Sequence, residues 1–260
     1  MLYLGLLRGA AVAALTSLAW PQSCQRAGRE DATRVHSAVT RPSFKAPDAI
    51  RMEVLDPNER PPVFVMRGSP QGPGRLVFLH GMCGHGLGYA QAFQFAASKY
   101  GTLIAPQGDI SCGGVWSKWS TNLDALDARI TRTFRALGHV DPIDDILVLG
   151  YSQGASRAEA LVRKWPKRYT RLVLMGAPSA PSVRGLRDLR AAVTMAGERD
   201  RKDLMRAGSR SLLAVGVPTV FRIIPEATHG AMGPTPERTM GDVLTWIYEN
   251  QRPATSDEPG

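Results

Sequence analysis

The chain of 260 residues carries 32 Lys and Arg against 23 Asp and Glu, a formal charge of +9, with 43% hydrophobic and 21% charged residues. That composition can bury a sizeable core and excludes a globally disordered chain, and the length suits one main α/β domain. The positive balance favours anionic surfaces or substrates in general, but no zinc-finger spacing, basic repeat or other nucleic-acid motif accompanies it, so nucleic acid is not an expected partner.

The opening MLYLGLLRGAAVAALTSLAWPQSC places Arg8 before an apolar run over 9–19, and Ser17-Leu18-Ala19 supplies the small residues a signal peptidase requires. Residues 1–19 are therefore expected to be a signal peptide; an uncleaved N-terminal anchor is the alternative if the run is counted from Leu2. Both imply an exported protein, periplasmic, secreted or surface-anchored, with peripheral membrane association through the N-terminus. Cys24 offers a third route, lipidation as in a bacterial lipoprotein, although Pro21-Gln22-Ser23 is a poor lipobox. Residues 20–48 are polar, contain Pro42 and Pro47, and read as a linker; a folded domain is expected over 49–252 and a disordered tail over 253–260.

Within the domain, IRMEVL (50–55) and PVFVMR (62–67) read as strands joined by the turn residues DPNERPP, and RLVFLH (75–80) as a strand buried on both faces. Alternation follows. A helix is expected over 88–99, a strand over 102–106, a helix over 122–137, a strand over 145–150 and a helix over 153–164. Strands at 171–176 and 191–197, a short helix around 203–207, a strand at 219–224 and a last helix over 237–250 complete the pattern. Strands alternating with helices predict a mostly parallel sheet covered on both faces.

The strand at 145–150 runs into GYSQG, a G-x-S-x-G match of the kind that arises by chance in about one chain in ten of this length. Its context raises its value. Ser152 lies just beyond a strand end and just before a helix, where Gly150 and Gly154 permit a tight turn and helix N–H groups favour negative charge. A serine hydroxyl needs a base, and the base an orienting carboxylate. Of the histidines, His36 falls in the linker, His139 at the opposite sheet edge, and His80 and His85 precede the serine; His229 follows the last strand and is the expected base. The loop after AAVTMAG offers Glu198, Asp200 and Asp203 as the carboxylate, with Asp200 the best placed. The order Ser152, Asp200, His229 accompanies the G-x-S-x-G elbow.

Taken in order, LVFLHGMCGH (76–85), LIAPQGD (103–109), GYSQGAS (150–156), AGERD (196–200) and VPTVFRIIPEATHG (217–230) resemble the α/β-hydrolase superfamily. The likeness is to its carboxylesterase, phospholipase-like and dienelactone-hydrolase-like branch. The resemblance implies an eight-stranded, mostly parallel sheet and ester chemistry on a small-molecule substrate without cofactor or metal. It also implies an oxyanion hole from the backbone N–H of Gln153 and of Met82 or its neighbour Cys83. His80 is read as structural. Only about fifteen residues separate the strands at 171–176 and 191–197, so little or no lid is expected.

Cys83 and Cys112 fall in loops at the same sheet edge and, in an exported chain, are expected to pair. Cys83, Trp116 and Trp119 are candidate substrate contacts, although aromatics at a helix start are more often core. Two rival readings use the same residues differently: a thioesterase or acyltransferase with the same triad, and a non-catalytic surface binding protein on a hydrolase fold.

Overall fold

The computed structural model describes residues 52–55, 60–68 and 74–253. The expected leader (1–19), the linker (20–48), Cys24 and residues 254–260 of the tail lie outside the described residues.

The main sheet has eight strands: β1 (Met52–Val54), β2 (Val63–Met66), β3 (Gly74–Leu79), β4 (Gly101–Pro106), β7 (Ile146–Tyr151), β8 (Tyr169–Met175), β9 (Ala191–Gly197) and β10 (Thr219–Ile224). Their order is β1-β2-β4-β3-β7-β8-β9-β10. β1 and β2 are antiparallel to their neighbours, and every pair from β4 to β10 is parallel. A second, two-stranded sheet joins β5 (Ile110–Gly113) to β6 (Trp116–Lys118).

Side-chain alternation along each strand divides the core in two. Val77, Leu79, Val148, Leu172 and Leu174 point to one face, where α3 (Leu123–Ala136), α4 (Gln153–Lys164) and α5 (Lys202–Ala214) pack through Ile130, Phe134, Leu161 and Leu212. Leu76, Phe78, Leu147, Leu149 and Val173 point to the other, under α1 (Gly86–Gln91), α2 (Gln94–Ser98) and α6 (Pro236–Glu249). Parallel strands buried on both faces explain why their sequences read as unbroken apolar runs.

Three segments differ from the sequence expectation. The helix expected over 88–99 is two, because Phe93 leaves helical geometry (φ −135°) to pack edge-on against Phe78 at 5.7 Å. Glu237 of α6 then caps the second helix, accepting from the N–H groups of Phe95 (2.9 Å) and Ala96 (2.7 Å). The short helix expected near 203–207 extends to Ala214 on a narrow inward stripe of Met205, Gly208, Ser209 and Leu212. Residues 110–118, where no strand is expected, form the β5–β6 hairpin; the helix expected over 122–137 follows it at Leu123–Ala136, capped by Asn122.

The connection from β8 to β9, residues 176–190, contains no helix or strand and tucks Leu186 and Leu189 into the core. No lid element covers the sheet edge among the described residues.

Candidate active site

The apolar run of β7 ends at Tyr151, and the chain turns into α4 through Ser152 at φ 52°, ψ −115°. A non-glycine residue there costs of order 1–3 kcal/mol and persists only where its surroundings fix it. Here Ser152 N–H donates to Met175 O at the end of β8 (2.8 Å), while Ser152 O accepts from Ala155 (3.0 Å) and Ser156 (3.4 Å) as the helix starts. The flanking glycines make the close approach feasible. A Cβ on Gly154 would stand 2.0 Å from Leu79 O, and one on Gly150 would stand 2.4 Å from Gly154 O.

Loops from β9 and β10 meet this turn. His229 Nε2 lies 3.0 Å from Ser152 Oγ, and His229 Nδ1 lies 2.8 Å from Asp200 Oδ2. An ionised carboxylate only accepts, so Nδ1–H donates to Asp200 and Nε2 is left to accept from the serine hydroxyl. The Asp200 side chain is only 8% exposed, against 52% for His229, and its second oxygen accepts from Arg201 N–H at 2.7 Å. Gly176, at φ +51°, leaves room for the pair: a Cβ there would stand 3.0 Å from Asp200 Oδ2 and 3.3 Å from the His229 ring. Of the other acids, Glu198 accepts from Glu226 N–H at 2.8 Å, and Asp203 sits in the first turn of α5.

On the opposite side of Ser152, the turn after β3 carries Met82. Gly81 abuts Ser152, a Cβ on it falling 3.4 Å from Ser152 Cβ, and Gly84 N–H closes the turn on Gly81 O at 3.0 Å. Among the described residues, neither Met82 N–H nor Gln153 N–H donates to a backbone acceptor outside its own element.

Buried polar side chains fix this turn. His80, fully buried, donates from Nδ1 to Gly81 O (2.7 Å) and accepts at Nε2 from Gly108 N–H (2.9 Å). Burial lowers its pKa to about 4, so it is neutral and holds one tautomer. Gln107 donates to Gly84 O (3.0 Å), Val115 O (3.1 Å) and Ser117 Oγ (2.7 Å), and accepts from Gly86 N–H (2.9 Å). Cys83 and Cys112 form a disulfide, and Gly84 pairs with Ser117 as an isolated antiparallel bridge. The β5–β6 hairpin is thus fastened to the turn that carries Met82.

The aromatic candidates separate. Trp119 is 3% exposed; its indole N–H donates to His80 O at 2.7 Å, and its ring lies 4.8 Å from the His80 ring, which makes it core rather than substrate wall. Trp116 is exposed and stands edge-on to His85 at 6.1 Å. It borders a cleft of about 650 Å³ with Pro61, Phe64, His85 and Val115, whose lining includes none of Ser152, Asp200 or His229. The Cys83 sulfur is committed to the disulfide.

Sequence reasoning missed the side-chain roles of Gln107, Gln153 and two tyrosines. The Gln153 amide accepts from Trp119 N–H (3.0 Å) and donates to Trp119 O (3.3 Å), pairing with both backbone groups of the residue that follows the hairpin. Nothing local in the sequence signals these partners. Tyr89 and Tyr151 both reach Gly230, beside His229.

No family model and no curated sequence gives a significant match. Many solved structures do. Naproxen esterase of Bacillus subtilis aligns at 13% identity over 76% of this chain and 92% of its own, with a TM-score of 0.55. FphF, a fluorophosphonate-binding serine hydrolase of Staphylococcus aureus, aligns at 14% over 72% and 91%, TM-score 0.55. A thioesterase domain from the curacin biosynthetic pathway aligns at 15% over 77% and 100%, TM-score 0.51. With the sheet order, the elbow after β7 and these likenesses in hand, the chain has the α/β-hydrolase fold.

Proposed function

We propose that the chain is a serine hydrolase that cleaves carboxylic esters through an acyl-enzyme. The observation that carries this reading is the unbroken hydrogen-bond chain from Ser152 Oγ through His229 to Asp200 on a strained strand-to-helix turn. His229 Nε2 takes the hydroxyl proton as Ser152 Oγ attacks the ester carbonyl; Asp200 holds the imidazole and offsets its charge. The N–H groups of Met82 and Gln153 receive the oxyanion, where loss of one donor typically costs on the order of a hundredfold in rate. Collapse breaks the bond to the alkoxy oxygen, which leaves as alcohol with the proton from His229. Water then attacks the acyl-serine, giving its proton to His229, and the serine departs with that proton.

The half-exposed base and the short β8–β9 connection favour accessible, small esters. The surface disulfide suits folding in an oxidising compartment, in keeping with export.

Intact-mass labelling with a fluorophosphonate, beside a Ser152→Ala control and a panel of nitrophenyl esters of increasing acyl length, tests the reading. One label per chain, lost in the control together with turnover, is the expected result. A folded, disulfide-intact protein that takes no label would instead direct attention to a binding role.

A further inference from the structure

His229 rides on an irregular segment between β10 and α6 whose residues 228–230 are all exposed. A base displaced by about 1 Å loses on the order of a hundredfold in rate, so something must hold this segment. On its N-terminal side the anchors come from the loop that carries Asp200: Glu226 N–H donates to Glu198 Oε2 (2.8 Å), and Ala227 O accepts from Arg199 N–H (2.9 Å). On its C-terminal side both backbone groups of the next residue are taken by phenols. Gly230 N–H donates to Tyr151 Oη at 2.8 Å, and Tyr89 Oη donates to Gly230 O at 2.8 Å.

We propose that Tyr151 and Tyr89 are positioning residues for the base, gripping Gly230 from two sides so that the His229 imidazole stays against Ser152. The proposal deepens the hydrolase reading and rests on it for its kinetic consequence, but not for its structural one.

Several features converge on this pair. Tyr151 is the residue immediately before Ser152, so the strand that presents the nucleophile also holds the base. It is 1% exposed, and a buried phenol needs a partner; among the described residues that partner is the Gly230 N–H. Its ring meets the His229 ring edge-on at 5.6 Å, which restricts rotation of the imidazole. Tyr89 comes from α1, lies 5.5 Å from the Tyr151 ring and 5.6 Å from that of fully buried Phe78, and so roots the grip in the core. Burial raises the pKa of both phenols, to about 12 for Tyr151, so both stay protonated. Gly230, at φ +89°, has the backbone freedom to turn its N–H and C=O to different partners.

The test compares wild type with Tyr151→Phe, Tyr89→Phe, the double variant and Tyr248→Phe, which removes a buried hydroxyl on α6 that has no hydrogen-bond partner among the described residues. Ring-nitrogen NMR shifts of His229 report its tautomer and partners without any turnover, and nitrophenyl-ester kinetics report the consequence. One net hydrogen bond corresponds to roughly threefold to tenfold in rate, so kcat is expected to fall about tenfold in Tyr151→Phe and about threefold in Tyr89→Phe, with KM within about twofold. The double variant should lose the single-tautomer shift pattern; Tyr248→Phe should change neither readout. Wild-type shifts and kcat in the double variant would overturn the proposal, as would a lowered melting temperature with kcat unmoved. If the double variant does not fold, the single variants decide by the same criteria. A wild type that takes no fluorophosphonate label would sink the hydrolase reading alone, because the NMR shifts still judge the grip.

Discussion

On one side of Ser152, the turn that carries Met82 is fastened by a disulfide, a β-bridge and the buried side chains of His80 and Gln107; on the other, half-exposed His229 hangs from an irregular segment by a handful of hydrogen bonds. The two sides have different physical tasks on the proposed mechanism. Donors aimed at a developing charge are most effective when fixed before the reaction, since no reorganisation is then required at the transition state. A base that takes a proton and hands it on to a leaving group needs the correct tautomer and direction, together with contact with solvent and substrate. On that mechanism, rigidity is concentrated where charge would appear, and exposure where protons would travel.

The sharpest way to break this comparison is at the carboxylate. Asp200→Asn keeps the size of the side chain while removing the charge that fixes the His229 tautomer, and a loss of roughly ten-thousandfold in kcat is expected from equivalent triads. Stability, read from the denaturation midpoint, should change little beside that. Activity within about tenfold of wild type would place the acid elsewhere, and Glu198, already hydrogen-bonded to the segment that carries His229, would be the next to substitute.

The fastened side should fail differently. Replacing Cys83 and Cys112 by Ser opens a loop with a sequence separation of 29. On the chain-entropy model that costs roughly 3.5 kcal/mol of stability. Because Cys83 adjoins Met82, kcat should fall as well, by about tenfold, and reduction of the wild type should reproduce both effects. A lowered denaturation midpoint with unchanged kcat would mean that His80 and Gln107 hold the turn without the covalent link.

The sequence makes these two sides legible to different degrees. Ser152, Asp200 and His229 each follow an apolar strand, so periodicity alone brings them to one sheet edge. The hairpin is invisible to the same reasoning because all four residues of β5 are exposed and its last residue Gly113 and the turn residue Gly114 have positive φ, leaving no alternation to read. A place at a helix start already leans Trp119 toward the core, but its partner, the carbonyl of His80 39 residues earlier, is visible only in the fold. Tyr151 occupies a variable position of the elbow motif, and its partner Gly230 is 79 residues away. The cap of α2 likewise comes from Glu237, more than 140 residues downstream. Local patterns report elements and strand-end loops; cross-links between loops belong to the folded molecule.

A pH scan probes the fastened side without mutation. His80 falls from an ordinary pKa of 6.5 to about 4 through burial, so between those values the unfolded chain binds a proton that the folded chain refuses. Stability therefore rises with pH across that window and falls as acid is added, by about 3 kcal/mol over the full span from this group. Burial lowers His85 and His139 too, with the same sign. Unfolding midpoints between pH 7 and pH 4 should show the slope, and the His80 ring resonances should not titrate until about pH 4. Titration near pH 6.5 would mean that water reaches this ring and that the turn is looser than its hydrogen bonds suggest.

An effect on stability smaller than that of the disulfide or of pH also separates holding from reacting. Gln153→Ala removes an amide that pairs with both the N–H and the C=O of Trp119; because the site is part-buried and water can substitute, the loss should be about 1–2 kcal/mol. Its backbone N–H, the proposed oxyanion donor, survives the change. Gln153→Glu retains an acceptor for Trp119 N–H but turns a carboxylate oxygen to Trp119 O, to which the amide donated, and sets a negative charge beside the position where the oxyanion would form. Stability should therefore fall in both variants, while kcat in Gln153→Glu should fall further than its lost stability accounts for. Denaturation midpoints and nitrophenyl-ester rates on the two variants would show that excess if Gln153 stands at an oxyanion site. Parallel losses in both measurements would mean that its side chain only joins the elbow to the hairpin.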